Sequence, residues 1–156
     1  MCYAYVERHV HGPQGGVAVI PRSRVRVCEG ARYQTDFELI RGRVGRIDID
    51  VEVSGEARSV SEVTARIAGA GDDRITIRET VDPVGRAARG VLTSNIALRD
   101  TAQAEVLNTL TADAPHARGT WTARKSSRTR RWPRRCRSSK YVIRRPTSRT
   151  KRPSVV

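Results

Sequence analysis

The chain has few of the residues that mark disulfide-linked or metal-binding proteins. It contains 3 cysteines among 156 residues, namely Cys2, Cys28 and Cys136. They form neither a Cys-x-x-Cys pair nor the ligand spacing of a zinc site. The sequence therefore argues against a disulfide framework and a zinc centre, and we expect a reduced, cytoplasmic setting.

Long apolar segments and catalytic constellations are also missing. No run approaches the roughly 18 apolar residues that span a bilayer, and the first residues do not resemble a secretory signal. No Ser/His/Asp or Cys/His arrangement stands out. We therefore expect a protein that is not an enzyme, has no catalytic residues and has no membrane partner.

Acidic residues are absent from the last part of the chain. Residues 1–119 hold 16 Lys or Arg and 16 Asp or Glu, whereas residues 120–156 hold 14 basic residues and no acidic one. The whole formal net charge of +14 thus belongs to the final segment. A segment so charged and so poor in apolar side chains cannot offset the entropy of folding. The sequence predicts a folded domain over residues 1–119 and a disordered Arg-rich tail over residues 120–156.

What the first 119 residues do contain is a period of two. In RIDIDVEVSG, residues 46–55, apolar side chains alternate with acidic ones, which is typical of a half-buried β-strand. The acidic side chains of Asp48, Asp50 and Glu52 are predicted to form a solvated sheet face. Weaker alternation predicts further strands within residues 15–20, 23–30, 73–79 and 94–100, while residues 59–71 are ambiguous.

A loose repeat accompanies these strands. Alanines in similar turn sequences, Ala31, Ala57, Ala87 and Ala102, are separated by 26, 30 and 15 residues. Such spacings are close to multiples of one coil of roughly 13 to 15 residues, as in a β-solenoid whose coils bury their inner faces against their neighbours. A β-sandwich with regular turns would leave a similar pattern, so both architectures stay open at this point.

Five strings of residues resemble, in order, the core of the SufB/SufD family of iron-sulfur cluster assembly scaffolds, particularly its archaeal-type members. They are ERHVHGPQGGVAVIPRSRVRV (7–27), FELIRGRVGRIDID (37–50), TARIAGAGDD (64–73), ARGVLTSNIALRDTAQAEVLNTLTA (88–112) and APHARG (114–119). The resemblance implies a right-handed parallel β-helix. It also implies a scaffold role with a transient iron-sulfur cluster, a SufC-type ATPase partner that docks on a helical C-terminal region, and a second SufB/SufD-type subunit.

The resemblance stops at Gly119. In the family, APHARG continues as His-Val-Asp-Cys-Lys-Glu and, later, Thr-His-Glu-Ala. Permitted codons for residues 119–154 yield both segments when they are read one base out of frame. The sequence therefore predicts a frame shift near the Gly119 codon, which would explain the Arg-rich tail as out-of-frame translation.

The candidate cluster ligands of intact relatives are that cysteine and that His-Glu pair, because nascent clusters are held by thiolate, imidazole or carboxylate. Neither is retained: the cysteine codon is split between Thr122 and Ala123, and the His-Glu codons lie under residues 149–151. We therefore expect no cofactor and no metal ligand in this chain, with Cys28 and His116 as weak candidates for cluster binding.

These candidates also have simpler interpretations. Cys28 follows a strand and is better explained as a small residue of the sheet, and His116 as a residue that shapes a turn. His9 and His11 share a strand face, but without a third ligand an exposed pair is the better interpretation.

One alternative of another class remains: a basic module in which the Arg-rich tail neutralises phosphates while Trp121, Trp132 and Tyr141 stack on nucleic-acid bases.

Overall fold

The structure is a computed structural model that describes residues 1–128 and 142–144. The described residues form β-strands joined by turns. The strands are β1 (Cys2–Val10), β2 (Val17–Val19), β3 (Arg22–Val27), β4 (Arg32–Arg41), β5 (Gly45–Gly55), β6 (Val60–Gly69), β7 (Arg74–Asp82), β8 (Arg89–Arg99), β9 (Gln103–Thr111), β10 (Arg118–Arg128) and β11 (Val142–Arg144). No helix among the described residues is long and apolar enough to cross a lipid bilayer.

Alternate strands build two parallel sheets. One sheet has the order β1-β4-β6-β8-β10, and the other has the order β11-β9-β7-β5-β2, with β3 also paired to β5. Every described pairing is parallel, and strands that are neighbours in a sheet are separated in sequence by at least one strand of the other sheet. This winding is a parallel β-solenoid, which confirms the predicted fold class and rules out the sandwich, since sandwiches are built from antiparallel hairpins.

The predicted coil of roughly 13 to 15 residues is wrong, because it corresponds to one strand with its turn rather than to a full coil. Successive coils align Arg32 with Val60, Val60 with Arg89, and Arg89 with Arg118. One full coil therefore contains two strands, one in each sheet, and takes twice the predicted length. The error arose because both halves of a coil have similar lengths and similar turn residues.

Equivalent turn positions show which small residues repeat. Ala31, Ser59, Ala88 and Ala117 each donate their backbone N–H to the carbonyl three residues earlier, over 3.0 to 3.1 Å. Ser59 and Ala88 are fully buried. Of the four alanines that suggested the repeat, only Ala31 occupies this turn position. The repeat therefore exists, but the residues predicted to be equivalent in it were wrong for the other three alanines.

The core consists of two apolar clusters between the sheets. Ile47, Ile49, Ile75 and Ile77 lie in the larger cluster and are almost completely inaccessible to solvent. The smaller cluster contains Val27, Tyr33, Val53, Val63, Val81, Leu92 and Leu110. The alternation that predicted strands from residues 46–55 and 73–79 thus marks their inward faces, as a period of two requires.

Strands also form where the sequence was ambiguous or silent. Residues 59–71, ambiguous in sequence, contain strand β6. The first coil contributes two short strands to its sheet, β2 and β3, which are separated by Ile20 and Pro21. Proline has no N–H for a strand ladder, which explains the break, yet its carbonyl still accepts a 3.1 Å bond from the N–H of Asp50.

The tail was predicted to be disordered from residue 120, and this is wrong for residues 120–128. They continue β10, which pairs with β8 over its whole length. The open edge of β8 offers a row of backbone donors and acceptors that stabilises a further strand despite its basic composition. Trp121 packs against the smaller core cluster, so it is not a free platform for a base. Trp132, Cys136 and Tyr141 lie outside the described residues.

Candidate functional site

The structure separates the two weak cluster-binding candidates. Cys28 is exposed directly after β3, in the turn that ends at Ala31. His116 is exposed in the equivalent turn three coils later, before β10. Adjacent strands are about 4.8 Å apart, so three coils place these turns roughly 14 Å from each other. Cys28 and His116 therefore cannot bind one ion together.

The backbone of His116 supports its assignment as a turn residue. Its φ of 60° lies in the left-handed region, as do the φ angles of Gly30, Arg58 and Ala87. These four residues occupy the same turn position in successive coils. Non-glycine residues rarely adopt this conformation, so the turn rather than the imidazole determines the local geometry.

His9 and His11 form a pair whose arrangement differs from a ligand pair. Their rings stack in parallel, with centroids 5.7 Å apart and an interplanar angle of 6°. His9 Nε2 lies 2.6 Å from Glu7 Oε1, a contact that the sequence analysis missed, and Nε2 of His11 is buried without a partner. No group of three or more His, Cys, Asp or Glu side chains within the described part of the chain is arranged to hold a metal ion.

The acidic face of β5 was predicted to be solvated, and this is wrong for Asp48. Its side chain is only 10% exposed and contacts three arginines: Arg78 Nη1 at 3.0 Å, Arg46 Nη2 at 3.2 Å and Arg22 Nη1 at 3.4 Å. The hydrogen bond from Arg22, with the neighbouring guanidinium groups, lowers the pKa of Asp48 below its usual value. Glu52 does lie on an exposed face, where Arg24 pairs with it.

A second buried carboxylate organises the turn between β6 and β7. Asp73 is fully buried and accepts backbone N–H groups of Gly45 and Ala70, each at 2.9 Å, and of Val44 at 3.3 Å. The two oxygens thus join two successive coils. This arrangement is structural, and it explains why an aspartate can follow the glycine-containing turn of residues 69–72 without facing solvent.

The most unusual polar group of the described structure lies between the two sheets. Glu79 on β7 is 2% exposed, and its Oε2 accepts a 2.7 Å hydrogen bond from the hydroxyl of Ser94 on β8. Ser94 in turn accepts a 2.7 Å bond from Nδ2 of Asn108 on β9. Burial raises the pKa of Glu79 to about 7, and the bond from Ser94 opposes this only in part. We call these three residues the buried polar cluster.

Sequence reasoning missed the buried polar cluster, although a signal was present. Glu79 continues the inward series Ile75 and Ile77, and Asn108 lies between the inward positions Val106 and Leu110. Counting in steps of two from an apolar residue therefore places both polar side chains inside. The cluster was overlooked because the predicted strand ended at Glu79 and no strand was predicted around Asn108.

Comparison with known proteins adds two sequence similarities to this geometry. The chain is 28% identical over 117 residues to an iron-sulfur cluster assembly SufBD family protein of Methanocaldococcus jannaschii, a match that covers 75% of the chain and 37% of that relative. It is also 28% identical over 116 residues to a SufBD family protein of Pyrococcus horikoshii, covering 74% of the chain and 35% of that relative.

The chain therefore spans about a third of the length of the curated relatives it matches. No family model matches the chain. No solved structure matches it either. The fold places the chain in the class of parallel β-solenoid proteins. The two relatives confirm the resemblance to the SufBD family.

Proposed function

We propose that the chain is the solenoid core of a SufBD-type protein that takes part in iron-sulfur cluster assembly as a scaffold and not as an enzyme. The observation that carries this proposal is the similarity to two proteins named for that process, over a length close to that of the predicted folded domain. The cytoplasm is the proposed location, because the cysteines that the structure describes are free.

The second part of the proposal concerns the frame shift. Out-of-frame translation after Gly119 replaces the cysteine and the His-Glu pair that the family resemblance assigns as cluster ligands. In the part of the chain that the structure describes, no ready-made group of metal-binding side chains takes their place. The cluster would be cargo of the intact scaffold, and this chain would be a truncated form that cannot hold it.

The proposed partners are a SufC-type ATPase and a second SufB/SufD-type subunit. The described residues offer strands and turns and no helix, whereas the resemblance assigns ATPase docking to a helical region after the solenoid. The part of the chain that the structure describes would thus lack this docking region, which we expect when the frame is restored.

A co-purification experiment tests the family proposal. The chain and a version with one base restored near the Gly119 codon are each co-expressed with a tagged SufC-type ATPase from the same genome. We expect the restored version, and not the chain as given, to be retained by the ATPase. If neither is retained, the SufBD proposal is contradicted. If both are retained equally, the docking region lies within residues 1–119 and the assigned helical site is wrong.

A further inference from the structure

The hydrogen bonds that the structure shows in the buried polar cluster leave one of its buried acceptor atoms without a partner. The amide nitrogen of Asn108 can only donate, so the hydroxyl of Ser94 must accept that bond and give its single proton to Glu79. The amide oxygen of Asn108 is buried and has no hydrogen-bond partner. An unpaired acceptor in the buried interior is unfavourable, so a donor for this oxygen is expected.

The neighbouring carboxyl group is in position to supply that donor. Glu79 and Asn108 are register partners on adjacent strands and point to the same side of their sheet. Oε2 of Glu79 and Nδ2 of Asn108 each lie 2.7 Å from the same atom, Oγ of Ser94, so they are no more than twice that distance apart. The carboxyl group of Glu79 and the side-chain amide of Asn108, including its single oxygen, therefore lie beside the same hydroxyl group.

We propose that Glu79 carries a proton in the native protein and donates it to the amide oxygen of Asn108, which closes a ring of three hydrogen bonds. In this ring Asn108 donates to Ser94, Ser94 donates to Glu79, and Glu79 donates to Asn108. Each of the three side chains then donates one bond and accepts one. The buried polar cluster becomes a proton-binding site inside the solenoid.

The surroundings of Glu79 favour the protonated form. The strands packed against β7 are β5, β6, β8 and β9, and their inward residues include no titratable group. Their charged side chains occupy outward positions: Arg46, Asp48, Asp50 and Glu52 on β5, Glu62 and Arg66 on β6, Arg89 and Arg99 on β8, and Glu105 on β9. On the described strands packed against β7, no cation therefore compensates an ionised Glu79, in agreement with a pKa raised by burial.

Ionisation would open the ring and weaken the contact between two coils. Loss of the proton leaves the carboxylate and the amide oxygen of Asn108 as adjacent acceptors with no hydrogen between them. Their repulsion acts across the β7–β9 ladder. The buried polar cluster is thus sensitive to pH near neutrality, where the Glu79 carboxyl titrates.

Side-chain NMR of the full chain from pH 4 to pH 9 tests the proposal. We expect the carboxyl carbon of Glu79 to titrate with a midpoint near 7, whereas an unperturbed glutamate titrates near about 4.3. The side-chain amide signals of Asn108 should shift with the same midpoint as Glu79, since ionisation removes the donor to its oxygen.

The variant Glu79→Gln is the matched control. A glutamine amide can donate to Asn108 and accept from Ser94 at every pH, so the Asn108 signals should no longer depend on pH. The proposal is overturned if Glu79 titrates near 4.3, or if Glu79 titrates near 7 while the Asn108 amide is unaffected. Both readouts come from the unmodified chain, so they decide the matter even if the variant does not fold.

Discussion

Glu79 and Asn108 lie side by side on β7 and β9 as register partners, and both are buried. The next partner in this row is Val51 on β5, which packs against both apolar clusters. Along the solenoid axis, this row of inward positions therefore changes from apolar at Val51 to polar at Glu79 and Asn108. Such a row makes the coils unequal, although their backbones repeat closely.

The stability of the domain should fall as the pH rises toward and through 7. Glu79 has a pKa of about 7 in the folded chain, against about 4.3 when unfolded. Between these values the folded state keeps a proton that the unfolded state has lost, so its stabilising effect is complete below about pH 4.3 and is lost above about pH 7. We expect the free energy of unfolding in urea to be up to about 3 kcal/mol lower at pH 8 than at pH 5 from this group.

The substitution Glu79→Gln should remove most of that difference, whereas Glu105→Gln, on the exposed face of β9, should leave it unchanged. A wild-type difference that persists in Glu79→Gln would assign the pH dependence to other groups.

Asp73 should contribute more to stability than its neighbour Asp72. Replacing Asp73 by alanine leaves the buried N–H groups of Val44 and Ala70, and the half-buried one of Gly45, without their acceptor. Each unsatisfied buried donor costs about 1 to 3 kcal/mol, so we expect a loss of at least about 2 kcal/mol in urea unfolding.

Asp72→Ala is the matched control, because Asp72 is 81% exposed and forms an exposed ion pair with Arg43. Exposed ion pairs contribute about 0 to 1 kcal/mol, so this variant should be nearly as stable as the wild type. Equal losses for both variants would contradict the assigned role of Asp73.

Trp121 should stabilise the fold and should not bind nucleic acid. It packs on the smaller core cluster from β10, so Trp121→Ala should destabilise the domain by about 1 to 3 kcal/mol through lost apolar contacts. At low salt the basic chain should still bind single-stranded oligonucleotides, without sequence preference and equally well in wild type and Trp121→Ala. A large loss of affinity in the variant, measured by fluorescence anisotropy under conditions where it is folded, would support base stacking by Trp121.

The extent to which sequence predicted the fold follows from the range of the interactions involved. Alternation of neighbours predicted the strands around Ile47 and Ile75, since it depends only on adjacent residues. The coil length was misjudged, because it depends on contacts between residues that are far apart in sequence. The contact of Arg78 with Asp48, for example, joins residues 30 positions apart. Such a partner can be assigned only when the coil length is already known.

The same reasoning applies to the candidate site. The absence of a thiolate and histidine centre was predicted from missing residue types, and it stays a prediction. The pairing of Glu79 with Ser94 crosses between the two sheets over 15 residues, and no local pattern shows which inward positions meet there. The inward direction of Glu79 was readable, but its partners were not.

Reconstitution with iron and sulfide tests the central claim most directly. The chain as given and the version with one base restored near the Gly119 codon are incubated with ferrous iron and sulfide without oxygen, and the visible absorbance of each is recorded after desalting. We predict a bound cluster in the restored version and none in the chain as given, because the proposed frame shift replaces the cysteine and the His-Glu pair that the family resemblance assigns as ligands. Equal cluster content in both would show that the lost residues are not the ligands and would contradict the account.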